Sequence, residues 1–452
     1  MSAAGRSPIV QVLLKGRASA LIALACALVF ARQWGDGTAP TDAMFFRNAV
    51  EVWSGRPAGF FLSILGHASV EHILVNVLVI LLYGAILEAR IGALRLLATF
   101  AVSGVAGNAL GILWEPAVSS IGASGGAMGI VGGLVAHGIR SGRSPWDFFG
   151  TVVARPLLLV IALMIGIGFV PGSFLDNAAH FGGMIGGFGF VWLFGAPGGI
   201  GRAGLAARIA GLVFLVESTA YALNPVLDAR YYATRVTAFG ERNEFGRART
   251  ALERLERLEP ESTARLATVE RLARPLESVG SPLPTFARIP YAEVLWHSGR
   301  REEANAIVDR IEEEMRALLR PDVLDVAERA RLENNLAWLL VVFDRDLDEA
   351  WRLAVRATAV ARHPAFVGTL GVVALRRGDA EGARRLLEES VRAYVSPRDE
   401  SSRANDLYYL SIALSQLGRK DDAIRRFEEA REIAPDAAIA EEALSALGPR
   451  GV

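Results

Sequence analysis

The chain has 452 residues, 52% of them hydrophobic, and its 48 Lys/Arg balance 48 Asp/Glu only on average. Residues 1–224 hold 13 of the basic and 9 of the acidic residues, so the two halves carry +4 and −4 and read as a membrane half and a soluble half. Neither is basic enough for nucleic acid, the single Cys26 excludes an intramolecular disulfide, and without a Cys/His cluster no structural zinc or other cofactor is expected.

Seven apolar stretches are predicted to cross a bilayer, each near the roughly 20 residues required: 17–34, 72–90, 92–114, 124–140, 151–171, 176–195 and 203–223. The first, "ASALIALACALVF" behind Arg6, Lys15 and Arg17, also fits a signal-peptide core with a weak cleavage site at Val29 and Ala31. It is read as a retained span because the later stretches form one continuous series. The seventh carries Arg208 and Glu217; it is read as a span, with an amphipathic helix on the inner surface as the alternative. With the N terminus inside, ten of the 13 Lys/Arg fall in inner loops, and only Arg32, Arg47 and Arg56 fall outside.

From residue 225 the chain becomes charged with a helical period. A helix, a turn with Gly or Asp, and a second amphipathic helix recur around Ala248, Ala304, Ala350, Ala383 and Ala423. The last of these units, with Leu407, Leu410, Leu414, Gly418, Ala423, Phe427, Ala430 and Pro435, resembles a tetratricopeptide repeat, and the earlier ones resemble it more loosely. Such repeats stack into a solenoid whose concave face binds extended or helical peptides, so a peptide or protein partner is expected. A helical bundle without a ligand is the plainer reading.

Polar residues inside spans are costly, and each is a functional candidate. His72 and Asn76 on span two, Ser124 at the start of span four and His180 early in span six lie near the outer ends of their spans. His72 and Asn76 are four apart, on one helix face, and both can donate hydrogen bonds. Ser124 offers a hydroxyl and a backbone N–H at a helix start, where intrahelical partners are missing. His180 can accept the serine proton. A nucleophile, a base and a set of oxyanion donors are the minimal kit for acyl transfer. Taken singly, each has a plain explanation: a glycine-rich packing surface around Ser124, an interhelical link at Asn76, a core histidine at 180. Asp176, one turn before His180, is not taken as a third member, and His67 with His72 is not taken as a metal pair.

Three spaced motifs resemble the rhomboid intramembrane serine proteases over residues 60–195. They are "HASVEHILVNVLVILLYGAILEARIG", "GASGGAMGIVGG" and "AHFGGMIGG". The resemblance implies a six-span all-α membrane core, 1–200, followed here by a seventh span, 201–224, and a tetratricopeptide-like solenoid, 225–452. It implies a Ser124–His180 dyad, an oxyanion hole from His72, Asn76 and the Ser124 N–H, an open backbone at Gly122, and close helix packing through Gly125, Gly129, Gly183 and Gly187. Two departures stand out: Ala58-Gly59 where the family carries Trp-Arg, which bears on how the loop before span two is seated, and Met128 where an aromatic residue often supports the histidine. The implied function is a serine endopeptidase cutting transmembrane protein substrates near the outer end of their spans, with access beside span five and its "GIGFVPGSFLDN" end. The alternatives are a catalytically inactive rhomboid-like binding protein and a membrane-anchored repeat scaffold. The expected location is a multi-pass protein of a bacterial inner membrane.

Overall fold

A computed structural model describes residues 16–35, 47–116, 118–141, 162, 166, 176–195, 202–277, 288–320, 324–396 and 399–448. The expected span at 151–171 and the proposed gate at its end lie outside the described residues, apart from isolated positions. The described chain is all-α, with a single antiparallel bridge between Arg47 and Ser120. It divides into two compact units, residues 1–227 and 228–452.

In the first unit, α1 is Arg17–Gly35, α2 Ala49–Trp53, α3 Ala58–Leu62, α4 Val70–Val79, α5 Ala85–Ile91, α6 Ala93–Trp114, α7 Ser124–Arg140, α8 Asn177–Phe194 and α9 Arg202–Leu223. A π-helical turn, Ile80–Gly84, joins α4 to α5, so one rod of 22 residues runs from Val70 to Ile91. Among the described residues, four helices are long and apolar enough to cross a membrane: α1, the α4–α5 rod, α6 and α9. The two that carry Ser124 and His180 are 17 and 18 residues long and rich in glycine. Glycine lowers their hydropathy while permitting backbone contact, and both helices are packed within the unit.

Side-chain acceptors start these helices. The Glu88 carboxylate on α5 accepts from the Ala18 N–H (3.0 Å), the Ser19 N–H (3.0 Å) and the Ser19 hydroxyl (3.0 Å), capping α1 from another helix. The apolar face of α1, with Ala18, Ile22 and Cys26, enters the same core as Ile80, Leu87, Leu96 and Ile130. Ser69 caps α4 and Asp176 caps α8 through the Ala179 N–H (2.9 Å).

The short helices before α4 are seated despite Ala58-Gly59. Trp53 is 1% exposed and donates from its indole N–H to the Ala222 carbonyl (2.9 Å), while Phe60 is fully buried. A tryptophan five residues earlier thus anchors this segment. On α9, exposed apolar side chains at Leu205, Ile209, Leu212, Val213, Phe214 and Val216 leave no polar face, and Glu217 is exposed with them. A helix apolar all round suits lipid contact better than an interface.

The second unit is built of helix pairs. They are α10 Ala229–Glu241 with α11 Phe245–Leu258; α12 Ser262–Glu277 stands between; then come α13 Arg288–His297 with α14 Arg301–Leu319, α15 Val326–Val342 with α16 Leu347–Val360, α17 Pro364–Arg376 with α18 Ala380–Ala393, α19 Glu400–Gln416 with α20 Lys420–Ile433, and a last helix α21 Ala440–Leu447. The five alanines that mark the repeat are all 0% exposed, one on the second helix of each pair. Each pair turns through a residue of positive φ: Asn243, Gly299, Asp344, Gly378 and Gly418. Asn and Asp are the residues other than glycine that tolerate this conformation best.

Candidate active site

Ser124 is the first residue of α7 and is half-buried; His180, on the first turn of α8, is 3% exposed. Their side chains meet, Ser124 Oγ lying 2.9 Å from His180 Nε2, within the range for proton transfer. The other ring nitrogen, Nδ1, has no hydrogen-bond partner among the described residues. The two side chains are therefore in hydrogen-bond contact. Asp176 does not turn to them.

This proximity follows from glycine. A Cβ on Gly183 would fall on the Gly125 backbone, and one on Gly187 would fall on the Gly129 carbonyl, both far inside van der Waals contact. Helices α7 and α8 thus touch backbone to backbone over a full turn, a distance only small residues allow. Ser103 on α6 fills the space beside Gly129, so three helices converge behind the serine.

Ahead of Ser124, Gly122 has φ +143, a conformation that disfavours any side chain. A Cβ there would stand 2.7 Å from His72 Cε1 and 2.8 Å from Nε2. The His72 ring therefore lies flush against this loop. Asn76 is 3% exposed, and its amide donates to the His72 carbonyl (3.0 Å) one turn back. The structure thus gathers Ser124, His180, Gly122 and His72 closely, and sets Asn76 one turn behind His72 on the same helix. His67 is not on that helix: its ring packs edge-on to His72 with centroids 5.1 Å apart, and its backbone N–H donates to Gln33 (3.1 Å). Met128 is buried on α7.

A second set of residues, joined by contacts between positions far apart in the chain, holds the loop before Ser124. Arg47 exchanges both backbone hydrogen bonds with Ser120 (2.8 and 3.0 Å). Its guanidinium, 1% exposed, pairs with the Asp176 carboxylate at 2.5 Å. Gly122 donates its N–H to the Ser63 carbonyl (2.9 Å), and Asn108 on α6 donates to the Ser63 hydroxyl (2.9 Å). Arg47, an outer-loop charge by its place between spans one and two, is buried between the serine loop and the cap of the histidine helix.

Residues 51–197 match the family model described as a rhomboid domain, and residues 365–436 match one described as a tetratricopeptide repeat. RHOMBOID-like protein 4 of Arabidopsis thaliana is 34% identical over 131 residues, 28% of this chain and 32% of that protein. RHOMBOID-like protein 1 of the same plant is 33% identical over 147 residues, 32% and 35% of the two chains. Rhomboid protease GluP of Bacillus subtilis is 26% identical over 191 residues, 41% and 36%. The match spans about a third of the length of these curated relatives.

Proposed function

For a chain that carries a rhomboid domain and tetratricopeptide repeats, we propose the function of a serine endopeptidase that hydrolyses peptide bonds in or beside transmembrane segments of other membrane proteins. The observation that carries this reading is the 2.9 Å contact between Ser124 Oγ and His180 Nε2. In the proposed reaction, His180 Nε2 takes the hydroxyl proton as Oγ bonds to the scissile carbonyl carbon. The negative charge moves to the carbonyl oxygen, where the Ser124 N–H and the His72 and Asn76 side chains donate to it. As the C–N bond breaks, His180 returns the proton to the leaving amine. Water, deprotonated by the same nitrogen, then attacks the ester carbonyl, and the proton goes back to Ser124 Oγ. Among the described residues, Nδ1 has no hydrogen-bond partner, and the serine is the ring's hydrogen-bond contact.

We assign 1–200 to the protease core, 201–224 to a seventh transmembrane helix and 225–452 to the repeats, with the N terminus inside a bacterial inner membrane and a protein partner for the repeats. Substrate helices must unwind at the cleavage site, and Gly or Pro lowers that cost.

The test is cleavage of a reporter whose span contains a helix-breaking segment, with labelling by a fluorophosphonate as a second readout. Ser124→Ala and His180→Ala are each expected to abolish both. Cleavage that persists in either variant overturns the reading. A folded wild-type chain that neither cuts nor labels makes it an inactive binding protein or a repeat scaffold.

A further inference from the structure

The repeat unit does not end as an open trough. Asn243, in the turn of the first helix pair, donates to the Ser401 carbonyl (3.0 Å) and hydroxyl (2.8 Å) on α19, and the Phe245 N–H donates to the Asp436 carbonyl (3.2 Å) after α20. First and last pairs meet, and beside them opens a partly open cavity of about 300 Å³. That is the small end of ligand-sized sites.

The chemistry of the wall selects which group. Four carboxylates line it, Glu293, Asp344, Glu441 and Glu442, against two guanidiniums, Arg301 and Arg376. Arg376 is taken: its two terminal nitrogens grip Glu442 at 2.6 and 2.8 Å. Arg301 lies over the Trp296 ring, 4.8 Å from its centroid. Burial holds the His297 imidazole below its ordinary range, so it adds no charge near neutral pH. Glu293, Asp344 and Glu441 have no ion pair among the described residues, and the one hydrogen bond to Glu293 comes from the neutral indole N–H of Trp338 (3.0 Å). Glu241 adds a further negative charge near Glu293. The Trp338 and Tyr409 rings meet edge to face at 6.4 Å beside it. Aromatic walls with a surplus of carboxylate attract cations. An incoming anion would meet that surplus, with one of the two arginines already engaged.

We propose that this cavity binds one guanidinium or primary ammonium group, with Glu293 as its counter-ion and the Trp338 ring as its wall, since the Tyr409 ring already lies under Arg376. The group arrives either on a basic side chain of a partner protein or on a free small amine. Burial raises the Glu293 carboxyl to about 7, so a bound cation also draws a proton off it and binding strengthens with pH. This inference stands independently of the protease reading, since every residue it uses belongs to the second unit.

The test is calorimetric titration of the full-length protein in detergent with three probes. These are L-argininamide, a blocked Ala-Ala-Arg-Ala-Ala peptide, and the same peptide with citrulline, the neutral isostere of arginine. Binding of argininamide alone identifies the small amine as the source, and binding of the arginine peptide identifies the side chain; either supports the proposal. The citrulline peptide is expected to bind at least tenfold more weakly, and the arginine probe to bind up to about tenfold more tightly at pH 8 than at pH 6. Glu293→Gln, which can still accept from Trp338, is expected to weaken binding and to remove the pH dependence. Equal affinity for arginine and citrulline, or no binding of any probe at millimolar concentration, overturns the proposal without relying on any variant.

Discussion

At the residue scale, the candidate site depends on side chains that are missing as much as on those present. Ser124 and His180 approach to 2.9 Å because Gly183 and Gly187 let α8 lie on the α7 backbone. Gly187→Ala puts a methyl onto the Gly129 carbonyl, so the helices must part. Overpacking of this kind costs about 1–3 kcal/mol, and a displacement near 1 Å can lower a rate about 100-fold. Cleavage of the reporter is expected to fall by about that factor in Gly187→Ala. Gly189, on the same helix with nothing within 4 Å of an added Cβ, is the matched control, and Gly189→Ala is expected to leave cleavage unchanged. Equal losses in the two variants would show that helix composition matters here rather than close approach. His72, Asn76, Ser124 and His180 were legible in the sequence because polar side chains are conspicuous in apolar helices. Gly122 was legible from its motif, but its reason was not: only the folded loop shows the His72 ring resting where a side chain would be.

At the scale of elements, helix limits are set by local sequence. The stretches expected at 72–90, 92–114, 124–140 and 176–195 fold as Val70–Ile91, Ala93–Trp114, Ser124–Arg140 and Asn177–Phe194. Apolar period, Ser and Asp caps and closing glycines are local signals. What joins the elements was not local. Arg47 and Asp176 are 129 positions apart, and an arginine in a loop between spans looks like any topology charge until its partner is known. The same holds for the turns at Asn243 and Asp344, which stand where the other repeats have glycine and so blur the repeat pattern. The Arg47–Asp176 pair makes a prediction of its own. Breaking a buried pair leaves one charge without its partner and typically costs about 3–5 kcal/mol, whereas neutralising both partners costs far less. Arg47→Met is therefore expected to lower the unfolding temperature of the protein in detergent. Adding Asp176→Asn, which can still cap the Ala179 N–H, is expected to restore part of the loss. A double variant no more stable than Arg47→Met alone would count against the pair as a strap between the serine loop and α8.

At the scale of the whole molecule, two units of different physics share one chain, and pH separates them. The second unit buries a carboxyl among α17, α18 and α19. Asp406 on α19 lies 2.5 Å from the Ser390 hydroxyl, which is also 2.8 Å from the Pro364 carbonyl. A hydroxyl has one proton to donate. Both contacts are satisfied only if Asp406 is neutral and donates its own proton to Ser390 Oγ, leaving the serine to donate to Pro364. Burial agrees, raising the Asp406 carboxyl to about 7. The sign then follows. Near pH 5 the native state holds a proton that the unfolded chain has largely lost, because an unfolded Asp titrates near 4. The native state therefore binds more protons, and stability falls as pH rises toward 7 and levels off above it. For one such group the change between pH 5 and 8 is up to about 2–3 kcal/mol, with Glu293 adding in the same direction. Asp406→Asn supplies an amide N–H to Ser390 at every pH. It is expected to match the wild type at pH 5 and to unfold at a higher temperature than the wild type at pH 8, as followed by circular dichroism on the full chain. If Asp406→Asn instead destabilises the protein equally at both pH values, the carboxyl is ionised in the native fold, and the shared-proton arrangement with Ser390 and Pro364 is wrong.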